Sequence, residues 1–72
     1  MTLKPLILVT GATGAVGPVV VRAVHDAGYA VRTLSLDTPP VGIWPDGVEA
    51  VTGDVTDASD VRAVLDGVDA VI

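Results

Sequence analysis

The stretch Thr10-Gly11-Ala12-Thr13-Gly14-Ala15-Val16-Gly17 decides how this chain folds. Ahead of it runs Leu6–Thr10, a short apolar segment stopped by glycine, which reads as a strand buried on both faces. Behind it the period changes. From about Ala15 to Ala27 the apolar residues Val16, Val20, Ala23, Val24 and Ala27 share one helical face, with Arg22 and Asp26 off it. Pro18 falls in the first turn, where its missing N–H would have no intrahelical partner, and Gly28 suits the C-terminal cap. The glycines recur at spacings of three and three, unlike the one-then-three spacing of the commonest dinucleotide fingerprint. The physical demands are similar. Gly11 permits a tight turn, Gly14 lets the backbone approach a pyrophosphate, and Gly17 lets the helix lie close to the sheet. Amide groups and the helix dipole then hold the anion without Lys or Arg. The plainer alternative is a turn that serves helix–strand packing alone. The strand–turn–helix context, inside a βαβ unit, favours the phosphate-binding reading.

Working outward, Ala30–Leu36 reads as a second strand, and Asp37–Gly47, with Pro39, Pro40 and Pro45, as a loop. Val48–Thr52 is a third strand, broken by Gly53-Asp54. Thr56 or Asp57 caps a helix over Ala58–Leu65 that buries Val61, Val64 and Leu65. Gly67 stops it, and Val68–Ile72 begins a fourth strand. The order β-α-β-loop-β-α-β predicts an α/β fold with a parallel sheet and right-handed crossovers. Among single residues, Tyr29 is expected to pack at the start of the second strand. Trp44 is expected to cover the sheet edge, with an adenine-side contact as its alternative, and His25 to favour the helix C-terminus.

Composition narrows the function. The 72 residues are half apolar, with no cysteine, four Lys plus Arg, nine Asp plus Glu and a formal charge of −5. Disulfides and thiolate metal sites are excluded, and His25 alone cannot build a zinc site. The acidic balance argues against nucleic acid and anionic membrane as partners. High hydrophobicity argues against disorder. The apolar run Pro5–Val9 is shorter than a secretory core of roughly 7–15 residues or a membrane span of about 20. A cytoplasmic location is the resulting expectation. A chain of this length buries only about 60% of its unfolded surface, so its core is thin.

The glycine turn resembles the T-G-x-x-G-x-x-G turn of the extended and atypical short-chain dehydrogenase/reductases, the NAD-dependent epimerase/dehydratase type. A second stretch is similar to another segment of that family: Gly53-Asp54-Val55-Thr56-Asp57, then Val61, Val64, Leu65 and Gly67-Val68-Asp69-Ala70-Val71-Ile72. The resemblance covers essentially the whole chain. It implies that residues 1–72 form the N-terminal half of a Rossmann-type doubly wound sheet, incomplete because the chain stops in the fourth strand. It further implies that Gly11, Thr13, Gly14, Ala15, Val16 and Gly17 surround the pyrophosphate, and that Asp54 approaches the adenine amino group while Val55 offers its backbone N–H to the ring. The alternative for Asp54 is a turn aspartate satisfying local backbone amides. Asp57 and Asp60 read as capping or first-turn carboxylates rather than metal ligands.

The end of the second strand distinguishes the two dinucleotides: an acid meets the ribose 2′-OH of NAD, an Arg the 2′-phosphate of NADP. By the resemblance, the acid would align with Ser35 and the Arg with Leu36, and neither is present. Asp37, 20 residues after Gly17, either reaches the ribose or simply starts the turn before Pro39-Pro40. Arg32 is placed within the strand and is a poor phosphate ligand. NAD is the expected cofactor, with NADP as the alternative.

The family's chemistry uses a Tyr with a Lys four residues later. Here the only Tyr is Tyr29, followed at that spacing by Thr33, and the only Lys is Lys4, so no catalytic residue carries over. The resemblance implies the cofactor-binding part of an oxidoreductase or epimerase/dehydratase that moves hydride between nicotinamide and an alcohol or ketone, such as a sugar nucleotide. A non-catalytic dinucleotide-sensing protein on the same scaffold and a free-standing adenosine-binding module remain the alternatives. A homodimer of the full-length form stands as a further expectation.

Overall fold

The structure, a computed structural model, describes residues 4–40 and 42–72, so residue 41 of the loop predicted over 37–47 lies outside it. Four strands, β1 (Leu6–Thr10), β2 (Ala30–Ser35), β3 (Glu49–Thr52) and β4 (Ala70–Val71), alternate with two helices, α1 (Gly17–Asp26) and α2 (Ala58–Leu65). The sheet is parallel throughout, in the order β3-β2-β1-β4. The expected α/β class, a doubly wound parallel sheet of Rossmann type, is what the chain adopts.

Alternation along the strands explains the layers. Successive side chains of a strand point to opposite faces. Val9 and Val31 therefore meet Val21 of α1, with Ala12 and the half-buried Val20, Val24, Trp44 and Val48, on one face. Leu8 and Leu34 meet Val64 of α2, with Val51 and Val68, on the other. Each such side chain is worth roughly 1.5–3 kcal/mol when fully buried. One helix thus covers each face. The chain winds β1–β2–β3 in one direction, then crosses beneath α2 to place β4 on the far side of β1. That reversal puts a topological switch point beside the carboxyl end of β1, the place where open α/β sheets bind ligands.

Helix α1 starts later than the apolar pattern suggests, and its buried face is rotated. Val16 sits at the N-cap, 66% exposed, and does not belong to the helical face. The buried positions are Gly17 and Val21, with Val20 and Val24 half-buried, while Ala23 and Ala27 are exposed. Gly17 sets this phase. A methyl group there would overlap the backbone carbonyl of Ala12 and lie 2.7 Å from its Cα, so only glycine lets the first turn press onto the loop. Gly28, at φ +96°, closes the helix by donating its N–H to the carbonyl of His25.

The other boundaries shift by a residue or two. β2 ends at Ser35 because the Ser35 hydroxyl turns back to the Asp37 carbonyl, leaving Leu36 exposed. β3 begins at Glu49, not Val48, since Val48 donates its N–H to Pro45 in the preceding turn. β4 proper is only Ala70–Val71. Its hydrogen bonding to β1 nonetheless runs from Asp69 N–H on Leu6 O to Thr10 N–H on Ile72 O, close to the span expected. Asp69 also accepts from the Leu6 amide at 2.7 Å, taking over the ladder where the strand fails. Tyr29 is 42% exposed, so it does not pack as expected. No helix among the described residues is long and apolar enough to cross a membrane.

Candidate functional site

At the carboxyl ends of β1, β2 and β3 lies a cleft of about 250 Å³, lined by Gly11, Thr13, Leu34, Ser35, Leu36, Gly53, Asp54 and Val55. Five of these residues, Gly11, Thr13, Ser35, Asp54 and Val55, are among those singled out from the sequence. Their convergence follows from the parallel register: β1, β2 and β3 all point their carboxyl ends the same way, so the three following turns meet. Leu34 and Gly53 were not anticipated as lining residues, and Leu36 had entered only as the position where relatives carry an Arg. The signal for Gly53 was its place at the head of the Gly53–Asp57 stretch; in the structure a Cβ there would press within 3.2 Å of the Leu34 side chain and 3.3 Å of the Asp60 carboxylate.

Gly14, Ala15, Val16 and Gly17 lie beside this cleft, in the turn that leads into α1. Gly11 adopts φ +62°, the left-handed conformation that favours glycine, and its carbonyl accepts the Gly14 N–H at 3.0 Å. A Cβ at Gly14 would sit 3.2 Å from that same carbonyl, so the turn is closed on its inner side. Val16 caps α1 through its backbone only; no side chain accepts from the first-turn amides, and no acidic residue stands there. The Val16 carbonyl accepts the Val20 N–H at 3.2 Å, which opens the helical ladder. The amides of Thr13, Ala15 and Val16 meet no protein acceptor among the described residues. Thr13 and Ala15 belong to the turn ahead of α1 and Val16 is its N-cap, so these amides lie at the positive end of the helix dipole.

The second turn is satisfied from within. Asp54 Oδ1 accepts from the Thr56 amide at 2.8 Å and from the Thr56 hydroxyl at 2.7 Å. Those two bonds, the hydroxyl's first, hold its carboxyl below the usual carboxylate range. The turn-aspartate role is therefore present; the remaining oxygen, Oδ2, takes no part in it. Asp60 Oδ2 accepts the Asp54 N–H at 3.0 Å, and the Val55 amide meets no acceptor among the described residues. Val55 itself is 58% exposed at the cleft. Asp57, not Thr56, caps α2, accepting from the amides of Ser59 and Asp60.

Other candidates fall elsewhere. The Asp37 side chain is not part of the lining; what reaches Ser35 is its backbone carbonyl, at 2.9 Å. Trp44 packs against the Val9–Val21–Val31 cluster on the α1 face, and its alternative adenine-side position is not adopted. Arg32 does lie in β2, and its guanidinium is held there through two of its nitrogens: Nε with Glu49 at 2.8 Å, Nη1 with the carbonyls of Val64 and Asp66 at 2.7 Å each. It clasps the C-terminus of α2 to the sheet. No group of three or more His, Asp or Glu residues suited to a metal occurs among the described residues.

A model of the NmrA-like family matches residues 3–72. The chain is 46% identical over 66 residues to a (4-alkanoyl-5-oxo-2,5-dihydrofuran-3-yl)methyl phosphate reductase of Streptomyces griseus, a match covering 92% of this chain and 23% of that protein. Among solved structures, it is similar to a short-chain dehydrogenase/reductase superfamily protein from Agrobacterium tumefaciens with bound NAD. That pair is 39% identical at a TM-score of 0.73, over 92% of this chain and 19% of the other. An epimerase from Methanothermobacter thermautotrophicus aligns at 28% identity and a TM-score of 0.73, over 89% of this chain and 20% of its own. The chain thus spans about a quarter or less of the length of these relatives.

Proposed function

The chain belongs to the NmrA-like family, and from that premise we propose that it forms the adenosine- and pyrophosphate-binding part of a nicotinamide-dinucleotide protein. The observation that carries this reading is the turn leading into α1: amides without protein partners, no capping carboxylate at the helix, and a glycine-rich path, all beside a cleft at the carboxyl ends of β1, β2 and β3. The pyrophosphate would take the amides of Thr13, Ala15 and Val16. Gly11 and Gly14 keep side chains out of its way, and Gly17 seats the helix. Asp54, through the oxygen not committed to Thr56, and the Val55 amide would bind the adenine edge. The ribose would lie against Ser35, with Asp37 behind it. The bound dinucleotide supplies hydride transfer, and the residues described here bind and orient its adenosine end rather than taking part in that step.

For the whole protein we propose an oxidoreductase or epimerase acting on an alcohol or ketone. The support is kinship: a reductase 46% identical in this region and an epimerase of the same fold. The test is to titrate NAD and NADP into the full-length protein and a Gly14→Val variant. A valine at Gly14 must displace the Gly11 carbonyl, 3.2 Å from its Cβ, and projects its methyls at the phosphate-binding edge. A loss of affinity of at least tenfold is expected, with a lowered melting temperature but an unchanged far-UV circular dichroism spectrum below it. Unchanged binding would sink the phosphate-turn assignment.

A further inference from the structure

We propose that Asp60 is a positioning residue for the adenine end of the cleft. Its carboxylate, carried on the first turn of α2, fixes the Gly53–Asp54 peptide and so aims the Asp54 side chain and the Val55 amide at the base. The inference rests on the adenine reading of Asp54 and Val55 above and adds the residue that holds them.

Asp60 departs from the usual work of its position. It is the third residue of α2, where an acidic side chain ordinarily reaches back to the amide of the N-cap residue. That amide is already taken, because the Asp57 N–H donates to the Asp54 carbonyl at 3.0 Å. Asp60 Oδ2 instead reaches six residues back and accepts the Asp54 N–H at 3.0 Å, in a partly buried setting. Gly53 leaves the room for it: a Cβ there would lie 3.3 Å from Asp60 Oδ2.

Peptide planarity turns this bond into an aim. A trans peptide is flat, and its N–H and C=O point in opposite directions. The plane between Gly53 and Asp54 is pinned by Asp60. The plane between Asp54 and Val55 is pinned by its carbonyl on the Asp57 N–H, which turns the Val55 N–H the other way. Asp54 is thus held between two fixed planes, with its side chain and the Val55 backbone at the cleft. Of the five amides from Gly53 to Asp57, four have acceptors, and that of Val55 meets none among the described residues. The Gly53 amide is held by the Ser35 carbonyl, and those of Thr56 and Asp57 by Asp54 itself. The remaining bond, from the Asp54 amide, is made by a side chain of α2.

Calorimetric titration of the full-length protein with NAD and with its deaminated analogue, in which hypoxanthine replaces adenine, tests this. Hypoxanthine has a carbonyl in place of the amino group and a proton on the neighbouring ring nitrogen. It therefore offers no donor to Asp54 and no acceptor to Val55 along that edge. Wild type is expected to bind NAD about tenfold more tightly than the analogue. Asp60→Ala should weaken NAD by about tenfold, the size expected of one hydrogen bond to a charged group, and the analogue by less than about twofold. Asp60→Asn keeps an acceptor oxygen and should restore most of the NAD affinity. Ser59→Ala removes the hydroxyl bond to Asp57 from the same helix end and should leave both affinities unchanged. An equal loss of both ligands in Asp60→Ala, or the same loss of NAD in Ser59→Ala, would reduce Asp60 to a stabilising residue and overturn the inference. Unchanged NAD binding in Asp60→Ala, or an Asp60→Asn variant no better than Asp60→Ala, would overturn it too. A wild type that binds both ligands alike would overturn the adenine reading itself, and binding of neither would overturn the dinucleotide site.

Discussion

The two helices of this chain begin in corresponding places, each following a turn at the carboxyl edge of the sheet, and their N-termini are in opposite states. α1 is capped by Val16 in a helical conformation, φ −99° and ψ −19°, with no side-chain acceptor and no acid in its first turn. α2 is capped by Asp57 in an extended conformation, φ −94° and ψ 117°, whose Oδ1 takes the amides of Ser59 at 2.9 Å and Asp60 at 3.2 Å and the Ser59 hydroxyl. Asp60 adds a carboxylate to that first turn. One terminus is closed by the chain's own anions. The other keeps its amides available to an anion from outside. The same helix dipole acts at both, so the side chains around it decide which becomes a binding site.

The largest effect is expected where the open terminus depends on close packing. Gly17→Ala places a methyl onto the backbone of Ala12, and backbone cannot swing aside as a side chain can. Overpacking of this kind costs about 3 kcal/mol, so chemical denaturation should show a large loss of stability. A near-neutral result would mean that α1 does not need its present seat.

Next comes a conversion of one terminus into the other. Val16→Asp gives α1 the carboxylate cap that α2 already has, at a position already exposed. Stability should hold or rise, while dinucleotide affinity falls on the order of a hundredfold, because like charges brought together cost several kcal/mol. Retained affinity would break the contrast between the two helices.

At the other end of α2, Arg32→Met removes three hydrogen bonds from a charged donor whose side chain is 15% exposed. A loss of about 2 kcal/mol is expected, with dinucleotide binding unchanged if Arg32 acts only as a clasp. Weaker NADP binding in this variant would give Arg32 the phosphate role that its position denies it.

The smallest effect concerns acid. The Ser59 hydroxyl, then the amides of Asp60 and Ser59, hold the Asp57 carboxyl below its ordinary value. A carboxylate depressed in the folded state stabilises above its unfolded pKa, about 3.9, and that contribution is lost as pH falls through the lower folded value. Wild type should therefore melt above Asp57→Ala at neutral pH, and the gap should close below about pH 4. A gap that persists undiminished at pH 2 would show that the charge of Asp57 is not what caps α2.

The contrast between the two termini also marks how far the sequence could be read. The glycine spacing from Gly11 to Gly17 placed the turn correctly because positive φ and close approach leave few alternatives to glycine. Ser35, Asp54 and Val55 were traceable to one cleft because a parallel sheet brings the ends of its strands to one edge. The rotated face of α1 was not legible. Val16 fits the apolar period, but a cap residue lies outside the helix and its periodicity carries no information about burial. The Arg32 clasp was equally hidden: its partners at Val64 and Asp66 are main-chain carbonyls 32 and 34 positions away, which leave no mark in side-chain pattern. The position of Trp44 depends on the path of a proline-rich loop, and loops carry no period to read. For Ser35, residue type was visible, but the direction of its proton needed the carbonyl of Asp37 in place.

The central claim is that the open amides at the start of α1 hold the pyrophosphate while the Ser35–Asp54–Val55 cleft holds the adenosine. Amide-resolved NMR of the full-length protein during titration with NAD tests it most directly. The account predicts that the N–H signals of Thr13, Ala15 and Val16 shift together with that of Val55, at one common affinity, while the capped amides of Ser59 and Asp60 stay in place. Shifts at Ser59 and Asp60 with none at Thr13, Ala15 and Val16 would contradict it.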